Sequence, residues 1–139
     1  MGAIDGNWFP KATAVILLCI MIVLLTASAG GVTHIVGGSI WSIPPSTDFY
    51  ANWSSSQTFY LGDVLYFDFE SEMYNVHTVD TWSEYLDCVS LDSYLEDHVH
   101  DDGPALITLE DEPGYKRFIC PMLDYCSQGM KLQLEAHSR

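Results

Sequence analysis

The residues with the clearest chemical potential lie in one short segment, FICPMLDYCSQGM, at positions 118–130. It contains Cys120, Cys126 and Met130. Thiolate and thioether sulfur atoms are ligands for copper, and short loops of this kind supply them. Closely spaced cysteines are equally typical of a disulfide framework. With Cys88 the segment leaves three cysteines after position 29. In an oxidising compartment two should pair, and the third is then a reactive thiol, a buried inert thiol or a metal ligand.

The amino-terminal region has the order of a secretory signal. An apolar run at 12–25, ATAVILLCIMIVLL, follows Lys11 and precedes the small residues TASAGG. Ala27-Ser28-Ala29 fits the small-residue cleavage rule, which predicts a signal peptide at 1–29 and one domain at 30–139. A membrane anchor is the alternative, but the run is shorter than the roughly 20 apolar residues that a spanning helix needs. If the signal peptide is cleaved, the domain can associate with a membrane only through a partner; otherwise the uncleaved signal would hold it there.

The charge balance argues against two classes of partner, nucleic acid and anionic lipid. The chain has 5 basic and 19 acidic residues and a formal charge of −14, and loss of residues 1–29 removes one of each. Such a surface disfavours nucleic acid, whose phosphates need Lys and Arg, and it disfavours anionic lipid. A basic partner or simple solubility is compatible with it.

Asn52 begins an Asn-Trp-Ser sequence, an N-glycosylation acceptor in a secreted chain.

The hydrophobic pattern after residue 30 is mostly that of β-strands. In VLYFDFE, apolar residues alternate with more polar ones, so one face is predicted to be buried. DTWSEYLDC is predicted to form one or two helical turns with Asp80 as the cap, whereas PPSTDFYANWSSS is predicted to be turn-rich. Six or more short strands separated by turn residues predict an all-β sandwich or barrel.

Several separated motifs resemble the phytocyanins, which are plant cupredoxins of the cell surface and wall. The motifs are VGGSIWSIPPSTDFYANWSSSQTFYLGDVLYFDF, YNV, GPALITL and FICPMLDYCSQGMKLQL, which together extend from Val36 to Leu134. The resemblance implies a cupredoxin-like Greek-key β-sandwich with one short helical segment. It also implies a disulfide between Cys88 and Cys126, which leaves Cys120 as the odd thiol.

The resemblance also identifies where a copper ion would bind. A blue-copper site needs two imidazoles, one thiolate and a weak axial ligand. Cys120 stands at the thiolate position and Met130 at the axial position, but Tyr74 and Tyr125 replace the two histidines. A tyrosine binds metal well only as the phenolate, which is a hard ligand formed at a pKa of about 10. We therefore expect no metal site and no cofactor here, as in the early nodulin-like branch, although retention of the thiolate cysteine is unusual in that branch.

Other histidines are weak substitutes for the lost ligands. His77 lies three residues after Tyr74, and an odd offset on a strand turns a side chain to the opposite face. His98 and His100 precede two aspartates and share a face if the stretch is extended, so zinc or Cu(II) could bind there. A solvated acidic loop explains the same residues, and the sequence favours that interpretation.

These observations predict a non-enzymatic, secreted protein of the cell surface or wall that acts by binding. An extracellular glycan, a wall glycoprotein or a receptor would be the partner. Tyr50, Trp53 and Tyr60 would stack on sugars or else belong to the core, and alternation cannot separate these roles. The alternative is an electron carrier with copper in an altered site, which Cys120 and Met130 favour.

The sequence supports neither an enzymatic activity nor a lipid anchor. The motifs of a nucleophile elbow, a phosphate-binding loop or a zinc-protease helix do not occur, so an enzyme is not expected. No spacer and apolar tail of the kind that directs a lipid anchor follow the last predicted strand. The sequence therefore predicts secretion rather than anchoring.

Overall fold

Eight strands and two short helices make up the part of the chain that the computed structural model describes, residues 30–139. The predicted signal peptide at 1–29 and its cleavage site lie outside these residues. The strands are β1 (Thr33–Ile40), β2 (Phe59–Tyr60), β3 (Val64–Asp68), β4 (Val76–Val79), β5 (Val99–His100), β6 (Ala105–Thr108), β7 (Gly114–Ile119) and β8 (Lys131–His137). The helices are α1 (Phe49–Ser55) and α2 (Trp82–Asp87), and a 3-10 turn spans Glu96–His98.

The strands form two sheets, which confirms the predicted sandwich. The first sheet has the order β1-β3-β6, and the second has the order β2-β8-β7-β4-β5. In the second sheet β7 pairs antiparallel with β8 from Gly114–Ala136 to Ile119–Lys131. Leu65 and Phe67 of β3 are buried while their neighbours are only partly buried, as the alternating pattern predicts.

The core lies between the sheets and is rich in aromatic rings. Phe67 of the first sheet meets Phe118 of the second at a centroid distance of 5.5 Å. Trp41 packs on the same core, with its ring 5.0 Å from that of Phe67 and 4.7 Å from that of Tyr50. Burial of each such side chain is worth about 1.5–3 kcal/mol, so these contacts fix the two sheets face to face.

Helix α1 was not expected from the sequence, which predicts turns in this stretch and only one helical segment. Tyr50 is buried, and Phe49 and Trp53, four residues apart, pack against the core. That spacing places both rings on one face of a helix. The run of serines at 54–56 has low helix propensity and obscures the pattern.

Helix α2 lies where the sequence predicts it, but its cap is Thr81 rather than Asp80. The Thr81 hydroxyl accepts a hydrogen bond from the Glu84 amide, and the Glu84 carboxylate accepts one from the Thr81 amide. This reciprocal pair is a capping box, and Asp80 is one residue too early to form it. None of the helices within residues 30–139 has the length and apolar character needed to cross a membrane.

Candidate functional site

Two strand ends and one loop bring the four predicted ligand positions to the same end of the sandwich. Cys120 directly follows β7, Met130 directly precedes β8, and both are fully buried. The Cys120 amide donates to the Met130 carbonyl at 3.0 Å, and the Met130 amide donates to the Tyr125 carbonyl at 3.0 Å. Tyr74 stands two residues before β4. The resemblance therefore identified residues that do converge.

The rings of Tyr74 and Tyr125 pack against each other at this end. Their centroids are 5.6 Å apart and their planes are inclined at 64° in an edge-to-face arrangement. Both rings are partly buried and pack against the core cluster that includes Cys120 and Met130. Edge-to-face aromatic pairs contribute about 0.5–1.5 kcal/mol beyond burial. Two rings thus occupy the positions at which the resemblance implies imidazoles.

The Cys120 thiol is held in its neutral form. Burial raises its pKa, and hydrogen bonds at the backbones of Asn75 and Met122 offset this only in part. The sulfur lies 3.3 Å from the Asn75 side-chain oxygen and donates to it. A protonated thiol is a poor metal ligand because the thiolate is the binding form.

Asn75 connects this thiol to polar groups on the neighbouring strands. Its amide nitrogen donates to the Asp101 carboxylate at 3.0 Å and lies 3.3 Å from the His77 Nε2 atom. His77 is buried, and desolvation lowers its pKa. His77 therefore faces Asn75 as a neutral ring. No sequence pattern indicated this role of Asn75.

The donor set does not fit a blue-copper ion. Positions 74 and 125 contribute packed phenol rings, and position 120 contributes a neutral thiol that is already hydrogen-bonded. Only the Met130 thioether matches its role without change, and that role is the weak axial one. Copper would have to displace the ring pair and remove the thiol proton.

The disulfide between Cys88 and Cys126 is formed, as the resemblance implied. Its Cα atoms are 5.7 Å apart and its cysteines are separated by 38 positions. It joins the end of α2 to the loop that carries Tyr125. Cys120 is the free cysteine of the described residues, and it is buried.

The acidic segment around residue 98 is not the extended stretch that would place His98 and His100 on one face. His98 ends the 3-10 turn and His100 ends β5, so the stretch is not one extended segment. His98 instead approaches Asp80 and Asp92, with one ligand atom from each lying within 4.8 Å of the others. Asp80 is exposed and the other two are partly buried.

The structure also separates core aromatics from surface aromatics. Tyr50 is buried and Trp53 packs on the core, so neither is available to a ligand, whereas Tyr60 is exposed. Sequence reasoning missed three more exposed rings, Trp82, Tyr94 and Tyr115. Alternation along β7 shows that two faces exist, but it does not show which face meets solvent. Asn52 is exposed on α1, and its glycosylation stays a prediction.

Comparisons with known proteins agree with this architecture. Residues 41–130 match the family model described as a plastocyanin-like domain. Cucumber peeling cupredoxin from Cucumis sativus is 36% identical over 102 residues, which cover 73% of this chain and 72% of that protein. Early nodulin-like protein 20 from Arabidopsis thaliana is 32% identical over 121 residues, which cover 87% of this chain and 71% of that protein.

A solved structure gives the same result at the level of the fold. The structure of cucumber stellacyanin with Cu2+ superposes with a TM-score of 0.72 at 33% identity, covering 79% of this chain and 98% of that one. The residues matched by the family model include Tyr74, Cys120, Tyr125 and Met130.

Proposed function

Because the chain belongs to the phytocyanin family of plastocyanin-like domains, we propose that it acts by binding an extracellular partner and does not use copper. The observation that carries this proposal is the packed pair of Tyr74 and Tyr125 rings. They stand where the resemblance implies the two imidazoles of a blue-copper site.

The energetics of the cluster support the same proposal. Cu(II) would have to separate the two rings, deprotonate Cys120 and break its bond to Asn75. Each change costs packing or desolvation energy, and without imidazoles there is little coordination energy to offset it. The cluster is therefore a stable, neutral part of the core.

The proposed location is the outside of the plant cell, at the surface or in the wall. The Cys88–Cys126 disulfide supports an oxidising compartment, and the exposed Asn52 is accessible to the glycosylation machinery. Several similar proteins are early nodulins or early nodulin-like proteins. The proposed partner is a glycan, a wall glycoprotein or a receptor, and no catalytic role is proposed.

Electron transfer is the second candidate. Cys120 and Met130 remain adjacent through a 3.0 Å backbone hydrogen bond, and the structurally similar cucumber stellacyanin was solved with Cu2+. This candidate requires copper to recruit ligands other than Tyr74 and Tyr125.

Copper titration separates the two candidates. We expect that one equivalent of Cu(II), added to the purified protein with its disulfide intact, produces no intense visible thiolate-to-copper band. The same titration of Cys120→Ser is the control, because it removes the free thiol of residues 30–139 that could give such a band. A band that appears in the native protein and disappears in the variant would establish the electron carrier instead.

A further inference from the structure

We propose that the outer surface of the second sheet binds an uncharged glycan chain, through an aromatic face formed by Trp82, Tyr115, Arg117 and Gln133. This inference rests on the proposed function and assigns its ligand class and its site. The face includes neither ring of the tyrosine pair and none of the remnant copper ligands.

The aromatic face is a row of two exposed rings with a guanidinium between them. Trp82 is 50% exposed and Tyr115 is 59% exposed. The Arg117 guanidinium carbon lies 5.9 Å from the centre of the Trp82 ring and 5.8 Å from that of Tyr115. Exposed aromatic rings offer apolar surfaces on which the C–H faces of sugars can stack.

The row is held in place before any ligand arrives. Arg117 donates to the Gln133 side-chain oxygen at 2.8 Å and to the Asp80 carbonyl at 3.0 Å. Trp82 stacks on Tyr85, with centroids 5.5 Å apart and planes inclined at 26°. Rigid groups lose little conformational entropy on binding, so these residues form a preorganised surface.

A polar groove continues from this face toward α1. The groove has a volume of about 280 Å³. Tyr115 and Gln133 line the groove and also belong to the aromatic face. Its other walls include Ser55, Gln57 and Glu135. Hydroxyl, amide and carboxylate groups can pair with the hydroxyl groups of a sugar. The stacking surface and the hydrogen-bonding groups thus form one continuous site.

The charges favour an uncharged occupant. The whole molecule has a formal charge of −14, which repels uronate polymers over several ångströms. Arg117 is the cation of the face, and Glu135 of the groove has the opposite charge. Arg117 already donates to two protein oxygens. A neutral hexose or pentose chain carries no charge and is not repelled by the acidic surface.

Titration with defined oligosaccharides tests the proposal. The probes are neutral hexamers of glucose, xylose and mannose, with a galacturonate hexamer as the charged comparison, and amide chemical shifts are the readout. We expect at least one neutral hexamer to shift the signals of β7, β8 and α2. Trp82→Ala and Tyr115→Ala should each weaken binding about tenfold or more, because truncation of an aromatic anchor typically costs at least 1–2 kcal/mol.

Two further variants keep the test specific. Tyr94→Ala removes a ring that is 77% exposed but lies outside the face, and it should leave the affinity unchanged. Tyr115→Phe keeps the ring and should retain most of the binding. Equal losses in Tyr94→Ala and Tyr115→Ala, or a preference for the galacturonate hexamer, would overturn the proposal.

The two proposals fail in different ways. If no hexamer shifts any signal and the native protein also gives no copper band, the glycan site is wrong while the copper-free function stands. If the copper band appears, the proposed function is wrong whatever the sugars do.

Discussion

Asn75 shows how one side chain can determine the state of a site. Its oxygen accepts from the Cys120 thiol, and its nitrogen donates to Asp101. Because the side-chain oxygen of Asn75 accepts a hydrogen bond from the protonated thiol, this contact favours the neutral form of Cys120. Burial raises the pKa of Cys120 in the same direction. Asn75, which directly follows Tyr74, therefore helps to keep the Cys120 thiol neutral.

Asp63 is a second buried polar centre. Its carboxylate accepts hydrogen bonds from the Val32 and Tyr60 amides and from Arg139, and it lies 2.9 Å from His34 Nε2. Burial alone would raise its pKa, but these partners outweigh burial and lower the pKa from 3.8 to about 2. The network joins β1, through His34, to Arg139.

Replacement of Asp63 should therefore reduce stability in a pH-dependent way. The native carboxylate has the lower pKa in the folded state, so its stabilisation is present above pH 4 and is lost as the pH falls toward 2. Asp63→Asn should lower the free energy of unfolding by about 2–3 kcal/mol at pH 7. Denaturant unfolding from pH 2 to pH 7 measures this.

The matched control is Asp102→Asn, at an exposed position, which should leave the unfolding curve almost unchanged. A constant difference between native protein and Asp63→Asn at every pH would show that the ionised carboxylate is not the source of the stability.

Sequence reasoning identified some of these residues and not others, for a physical reason. Cys88, Cys126, Tyr74 and Tyr125 lie in motifs with fixed local spacing, which a resemblance can transfer. Asp63 obtains its partners from positions 29, 31 and 76 residues away. Such long-range partners leave no local pattern.

At the scale of elements, the strands were easier to predict than the helices. Strands β3 and β8 alternate between buried and less buried residues over their whole length, which is a strong period-two signal. Helix α1 has only 7 residues, fewer than two clear periods. Its helical form depends on the packing of Phe49 and Trp53 against the core, so tertiary contacts rather than propensity decide it.

Helix α2 gives a direct test of local capping. Thr81→Ala removes the hydroxyl that accepts from the Glu84 amide, and we expect a loss of about 1 kcal/mol in the free energy of unfolding. Thr81→Ser keeps the hydroxyl and should lose much less. Denaturant unfolding with an unchanged slope is the measurement. An alanine variant as stable as the serine variant would mean that the disulfide at Cys88 holds the helix without its cap.

At the scale of the molecule, a disulfide and a strand pair support the end of the sandwich that carries the tyrosine pair. The 38-residue separation of Cys88 and Cys126 allows a stabilisation of about 3–4 kcal/mol by the chain-entropy argument. This bond and the paired strands β7 and β8 hold the loop that carries Tyr125 in place. Under the proposed function, the side chains at positions 74 and 125, rather than the frame, exclude copper.

The most direct measurement is the electron paramagnetic resonance spectrum of Cu(II) bound to the double variant Tyr74→His, Tyr125→His beside that of the native protein. With both imidazoles restored next to Cys120 and Met130, the double variant should give the narrow copper hyperfine splitting of a blue site. The native protein should not. A narrow splitting in the native protein, or its absence in the double variant with an intact fold, would contradict the proposal that the tyrosine pair is the main obstacle to a blue-copper site.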